Sequence, residues 1–193
     1  MSVLQVWYWR QIAIVANLFG QRSIAIEYWE RIRAMRPRDA NVVATIAHLH
    51  AAAGERSQAI GLLREATTLD GSNAATWFNL GFLEQEAGRH DQAIEAFDAA
   101  IARDAKLDRA YYGKALSLIK IGRVEQAVPL LRRNIELQPM SPFGFYQLAH
   151  AYHRLGDRDK VAGTIKRLAA FEPKVAKQLE NETGVVIGVK TGF

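Results

Sequence analysis

Large apolar residues recur along this chain at helical spacing, small residues follow them on the same face, and glycines interrupt the pattern at even intervals. The stretch from Ala74 to Leu107 carries it most fully: Trp77, Leu80 and Gly81, then Gly88, then Ala93 and Phe97. Stepping by 34 residues in both directions returns the pattern in frames 6–39, 40–73, 74–107, 108–141 and 142–175, without gap or insertion. The first large position holds Trp9, Val43, Trp77, Tyr111 and Phe145, and the small position four further on holds Ala13, Ala47, Gly81, Ala115 and Ala149. A second small position holds Ala25, Ala59, Ala93, Ala127 and Val161, with Trp29, Leu63, Phe97, Leu131 and Ile165 four later. Each frame thus predicts two helices. Helix A takes about positions 2–14. Glycine stands at position 15 (Gly20, Gly54, Gly88, Gly122, Gly156), where a left-handed backbone is free of Cβ strain. Helix B runs to about position 30, with position 18 (Ser23, Ser57, Asp91, Glu125, Asp159) as the expected N-cap. Pro129 falls early in the fourth helix B, where it loses at most one backbone bond, and Pro142 opens the fifth helix A.

The run W-x2-L-G followed by A-x3-F resembles the tetratricopeptide repeat (TPR). Glu84 and Ala105 stand where that signature has Tyr and Pro, and prolines close three other frames at Pro37, Pro139 and Pro173. One such repeat cannot bury its own apolar face, so neighbours are required. The resemblance implies an all-α, right-handed superhelical solenoid of five helix–turn–helix repeats that serves as a protein–protein interaction module, as scaffold, adaptor or assembly factor. Beyond Pro173, residues 174–181 read as a short capping helix that closes a solenoid over 1–181, and 182–193 as a non-helical tail. Val185, Val186, Ile187 and Val189 are apolar and β-branched between glycines. Exposed, they are a liability, so they are expected to form an arm packed on the solenoid or on a second subunit.

In TPR proteins the A helices line the concave surface, with positions of about 2, 5, 9, 12 and 13 exposed. Here those positions place Phe78, Phe82, Tyr112, Leu116, Phe143 and Tyr146 in an aromatic strip, about half of it expected to be buried. Arg10, Arg109, Lys120 and Arg154 border it, opposed by Glu86. The partner-binding residues implied are Arg10, His48, Phe78, Asn79, Phe82, Arg109, Tyr112, Leu116, Tyr146 and His150. They suit a peptide with apolar anchors and some acidic character. The two-carboxylate clamp of some TPR domains is not expected. Asn79 fits it, but Ala44, His48, Arg109 and Gly113 depart from it. Trp7 and Tyr8 lie outside the signature, as a terminal cap or a self-association face.

Composition narrows the rest. The 193 residues include no cysteine, which excludes disulfides and thiolate metal sites. A net charge of +5 leans toward acidic partners. It also raises an alternative, nucleic-acid binding through Arg31, Arg33, Arg36 and Arg38, through Arg132 and Arg133, and through Lys166 and Arg167. Those clusters sit mainly on or after B helices and form no single stripe. No apolar run approaches the roughly 20 residues of a membrane span. The opening MSVLQVWYWRQ lacks a basic leader, so a cytoplasmic location is expected. No nucleotide-binding or hydrolase motif occurs, and His150 and His153 offer a metal two ligands without a third. No enzyme activity and no cofactor are expected. His50 reads as a hydrogen-bonded core histidine.

Overall fold

The computed structural model describes residues 3–190. Among them are eleven helices and no strand: α1 (Val3–Leu18), α2 (Arg22–Met35), α3 (Ala40–Ala52), α4 (Arg56–Leu69), α5 (Ala74–Glu86), α6 (His90–Arg103), α7 (Asp108–Lys120), α8 (Val124–Leu137), α9 (Pro142–Arg154), α10 (Arg158–Ala169) and α11 (Pro173–Thr183). The chain divides into two compact units, Met1–Arg103 and Asp104–Phe193. In the first, each of α1 to α6 packs on the next; in the second, α7 to α11 do the same, and α11 also touches α9.

The turn between the helices of a repeat has one chemistry throughout. Gly20, Gly54, Gly88, Gly122 and Gly156 all have φ between 74° and 83°. The next residue donates its N–H to the carbonyl five residues back: Gln21 to Ala16, Glu55 to His50, Arg89 to Glu84, Arg123 to Leu118 and Asp157 to Tyr152, at 2.8–3.0 Å. This is the Schellman closure of helix A. The residue that closes helix A also caps helix B at Gln21, Glu55, Arg123 and Asp157, and only Asp157 uses its side chain, accepting from the Lys160 N–H at 3.1 Å. The N-cap therefore lies at position 16, not at position 18 as the polar side chains of Ser23, Ser57, Asp91, Glu125 and Asp159 imply. The left-handed glycine turns the chain so sharply that helix B starts at once. A helices of the next frame rely more on side chains. Asp39 accepts from the N–H of Asn41 and Val42, and Asn73 from those of Ala75 and Thr76.

The repeated small residues are where helices touch. Ala13, Ala47, Ala115 and Ala149 are fully buried, as are Ala25, Ala59, Ala93, Ala127 and Val161. Their large partners Leu63, Phe97, Leu131 and Ile165 are all at most 3% exposed. Repeat 3 shows why the small residue varies. A Cβ added at Gly81 would stand 2.9 Å from two carbons of the Phe97 ring. Only glycine leaves room for phenylalanine there. In the second unit Gly144 is as tightly held, because a Cβ would collide with the Asn134 side chain and Ile135. At the first large position Trp77 and Tyr111 are half-buried and keep their polar ends satisfied. Trp77 Nε1 donates to the Gly71 carbonyl at 2.9 Å and Tyr111 Oη to that of Ala105 at 3.3 Å. Both carbonyls sit at the place where other frames have proline.

Phe97→Ala is expected to cost about 3–5 kcal/mol in denaturant titration, the range for a buried aromatic. Gly81→Ala adds helix propensity but overpacks the ring at a cost of about 1–3 kcal/mol, so a net loss is expected. Combining Gly81→Ala with Phe97→Leu, the pairing used in repeat 2, should recover most of the overpacking loss. An additive double mutant would mean that the two residues do not oppose each other.

Candidate functional site

In the first unit, α1, α3 and α5 turn their expected ligand-facing positions outward. Arg10, His48, Asn79 and Phe82 are exposed, and Phe78 is half-buried. The Phe78 ring lies 5.9 Å from that of Phe97 at 46°, so one face belongs to the core and only the remainder is presented. Between α1 and α3 lies a hollow of about 440 Å3. Trp7 and Arg10 form one wall, Trp29 and Ile32 of α2 the floor, and Asn41 and Thr45 of α3 the other wall. Arg36 closes one end, 3.9 Å from the Asp39 carboxylate that also caps α3. Frame positions pointed to Trp7, Arg10 and Asn41. Trp29, Arg36 and Asp39 were missed because they belong to signature or linker positions, and only packing brings them to the rim; Thr45 shares the frame position of Asn79.

In the second unit, Tyr112, Leu116 and Tyr146 are half-buried and Arg109 and Phe143 exposed. Burial pushes the Tyr112 phenol above its ordinary pKa, against the opposing pull of a hydrogen bond with Gln147. A smaller hollow, about 250 Å3, is lined by Ile119 of α7 and by Tyr146, Gln147, His150, Ala151 and Arg154 of α9. Tyr146 and His150 pack edge to face with centroids 4.6 Å apart. Neither is an open ligand position. Tyr146 Oη donates to Glu182 of α11 at 2.9 Å, and His150 Nε2 meets the same carboxylate oxygen at 2.9 Å. Gln178 donates to the other oxygen at 2.7 Å. The Gln178 bond, with those to Tyr146 and His150, holds Glu182 below the usual carboxylate range, and Glu182 in turn pushes the Tyr146 phenol up. Glu182 lay beyond the last repeat frame, so no frame position pointed to it. Of the six strip residues, none is fully buried: Phe82 and Phe143 are exposed and the other four lie part-way.

The tail is tied to α10 and α11. α11 extends to Thr183, two residues past its expected end, and the arm starts at Gly184 in the left-handed region, φ 66°. Glu180 is buried, and its Oε1 accepts from the N–H groups of Ile187, Gly188 and Val189 at 2.6, 2.7 and 3.1 Å. Lys177 Nζ donates to Oε2 at 2.7 Å. Gly188, φ 79°, supplies the bend that aims three successive N–H groups at one oxygen. Arg158 of α10 holds the Gly184 carbonyl at 3.1 Å, and Val185 is buried. Up to Lys190 the arm is held by these bonds and by Val185, while Val186 and Ile187 stay exposed; Phe193 and its carboxylate lie outside the described residues.

The basic clusters are largely spent on internal pairs. Arg31 meets Glu27 at 2.6 Å, Arg33 bonds both oxygens of Glu65 at 2.9 and 2.7 Å, and Arg133 meets Glu136 at 3.0 Å. Arg167 lies over the Phe145 ring at 5.1 Å. His50, half-buried, pairs with Glu55 across the turn. Among the described residues no group of three or more His, Cys, Asp or Glu side chains could hold a metal ion. Among them also no helix is long and apolar enough to cross a membrane.

The sequence profile of the tetratricopeptide repeat matches residues 45–106 and 83–143, together just over half of the chain. The chain belongs to the tetratricopeptide repeat family. Among curated proteins, it is 28% identical over 113 residues to Protein O-mannosyl-transferase Tmtc3 of Drosophila melanogaster. It is 26% identical over 101 residues to the general transcriptional corepressor ssn6 of Schizosaccharomyces pombe. Those matches cover 58% and 51% of this chain but 12% and 9% of the relatives, so the chain spans about a tenth of their length. Among solved structures, the MamA protein superposes with a TM-score of 0.81 at 19% identity, covering 97% of this chain and 98% of MamA. YrrB, described as a TPR protein with an unusual peptide-binding site, gives 0.78 at 13% identity with 90% of each chain covered. At these identities the likeness is one of fold.

The arm gives a pH-dependent expectation. The Lys177 hydrogen bond, reinforced by the three N–H groups and opposed by burial, lowers the Glu180 pKa from 4.5 to about 2. A depressed carboxylate stabilises the docked arm above its unfolded pKa and loses that contribution as pH falls from about 5 toward 2. The amide resonances of Ile187, Gly188 and Val189 should move together across that window. In Glu180→Ala they should stand at their released positions already at pH 7.

Proposed function

We propose that this chain is a protein-interaction module whose A helices take up segments of partner proteins. The observation that carries the reading is the accessibility of the ligand-facing positions. Across α1, α3, α5, α7 and α9 these positions stay exposed or half-exposed, while the neighbouring small positions Ala13, Ala47, Gly81, Ala115 and Ala149 are buried. Aromatics at such positions offer contact area at low entropic cost, and arginine adds directed hydrogen bonds to carboxylates and carbonyls. Phe82, Tyr112 and Leu116 would hold apolar anchors; Arg10 and Arg109 would meet acidic groups. The likeness to YrrB, whose own description includes a peptide-binding site, supports this class of role. In this reading the chain acts as adaptor or scaffold and has no catalytic part.

Phe82→Ala combined with Tyr112→Ala should abolish capture of partner proteins and leave far-ultraviolet circular dichroism unchanged. Arg109→Ala should weaken capture less, with a larger loss for an acidic ligand. Partners retained at wild-type affinity by the double mutant would remove the A-helix faces from consideration.

A further inference from the structure

Among the described residues, the exposed large apolar side chains concentrate on α1. Val3, Leu4, Trp7, Tyr8, Ile14, Val15 and Leu18, with Phe19 just beyond the helix, are between 48% and 80% exposed. α1 carries a single charged residue, Arg10, which lies at the edge of this stripe as part of the wall of the hollow toward α3. With each large aromatic able to bury about 150–250 Å2, the stripe offers on the order of 800–1,000 Å2. That exceeds the roughly 300–600 Å2 of the largest apolar patch on an ordinary monomer. It matches one partner's share, about 800 Å2, of a standard protein–protein interface.

The order of these residues says what covers them. They are symmetric about Gln11: Val3 and Phe19 lie eight away from it, Leu4 and Leu18 seven, Trp7 and Val15 four, Tyr8 and Ile14 three. Leu4, Gln11 and Leu18, seven apart, share one line along the helix. A surface buried against its own copy across a two-fold axis must be self-complementary, and two antiparallel helices crossing at Gln11 satisfy that condition along the centre of the stripe. Leu4 meets Leu18 of the second copy along the midline, Trp7 meets Ile14 on one flank and Tyr8 meets Val15 on the other. Gln11 meets itself, and a side-chain amide, both donor and acceptor, can pair with its own copy and fix the register. Arg10 and its copy lie on one edge of the pair, outside the apolar contact, where water and salt screen them.

We propose that the stripe on α1 is a homodimer interface in which two α1 helices pack antiparallel about Gln11. It is carried by residues other than the peptide-binding positions of α3 to α9.

Sedimentation velocity on the 193-residue chain, from about 1 to about 100 µM, tests it. A dimer is expected, strengthened by added salt because screening relieves the +5 charge on each copy. Leu4→Glu should weaken it by more than about tenfold, with circular dichroism unchanged. Adding Leu18→Lys to Leu4→Glu should restore it, since in the antiparallel pair the two substituted sites face each other twice. Phe82→Ala with Tyr112→Ala should leave it unaltered, which separates this interface from peptide capture. A monomer at about 100 µM overturns the proposal, whether or not the protein then sediments with anionic phospholipid vesicles. A dimer indifferent to Leu4→Glu overturns it as well. Failure of the Leu18→Lys rescue overturns the antiparallel pairing.

Discussion

Everything in this protein rests on one contact, made once per repeat, between a small residue of helix A and a large residue of helix B. It lets two backbones approach closely enough to exclude water and yet fills the space that remains. At Gly81 and Phe97 the fit has no slack, since one extra carbon would stand within 3 Å of the ring. Where the large residue is leucine or isoleucine, alanine suffices. The left-handed glycine and its Schellman bond serve this contact by reversing the chain in three residues, so that the facing positions come into register.

Committing the small face of each A helix to its B helix leaves the opposite face accessible to solvent. The two ends of the repeat series meet the same situation differently. After α10 the chain adds α11, which lays Glu182 against Tyr146 and His150 and carries the arm on Glu180. Among the described residues no such element covers α1, whose outward face is apolar on both sides of Gln11.

Two buried carboxylates show how charge is used inside the fold. Glu84, at the position the signature gives to tyrosine, is 1% exposed and is held by Arg64 at 2.6 Å and by Arg89. Glu180 is equally buried and is held by Lys177 and three amides. Desolvating a carboxylate is costly unless it is paired and its lone pairs are filled, and both meet that condition. Glu84 ties α5 to α4, and Glu180 ties the arm to α11.

The sequence by itself determined the helices, their pairing and the turns between them. Those depend on local periodicity, on a glycine whose φ is positive, and on side-chain size at fixed spacing, all of which are written in order along the chain. It also indicated which side of each A helix faces outward, because the complementary side is marked by alanine and glycine. It misplaced the caps of the B helices, since Ser23, Ser57 and Asp91 look like caps but the backbone turn had already started the helix. It did not reveal the role of Glu182 or Glu180, nor the rim formed by Trp29, Arg36 and Asp39. Those depend on distances between segments that no repeat frame relates. Only tertiary packing decided them, because a carboxylate becomes an anchor when particular amides and cations are brought to it and water is excluded.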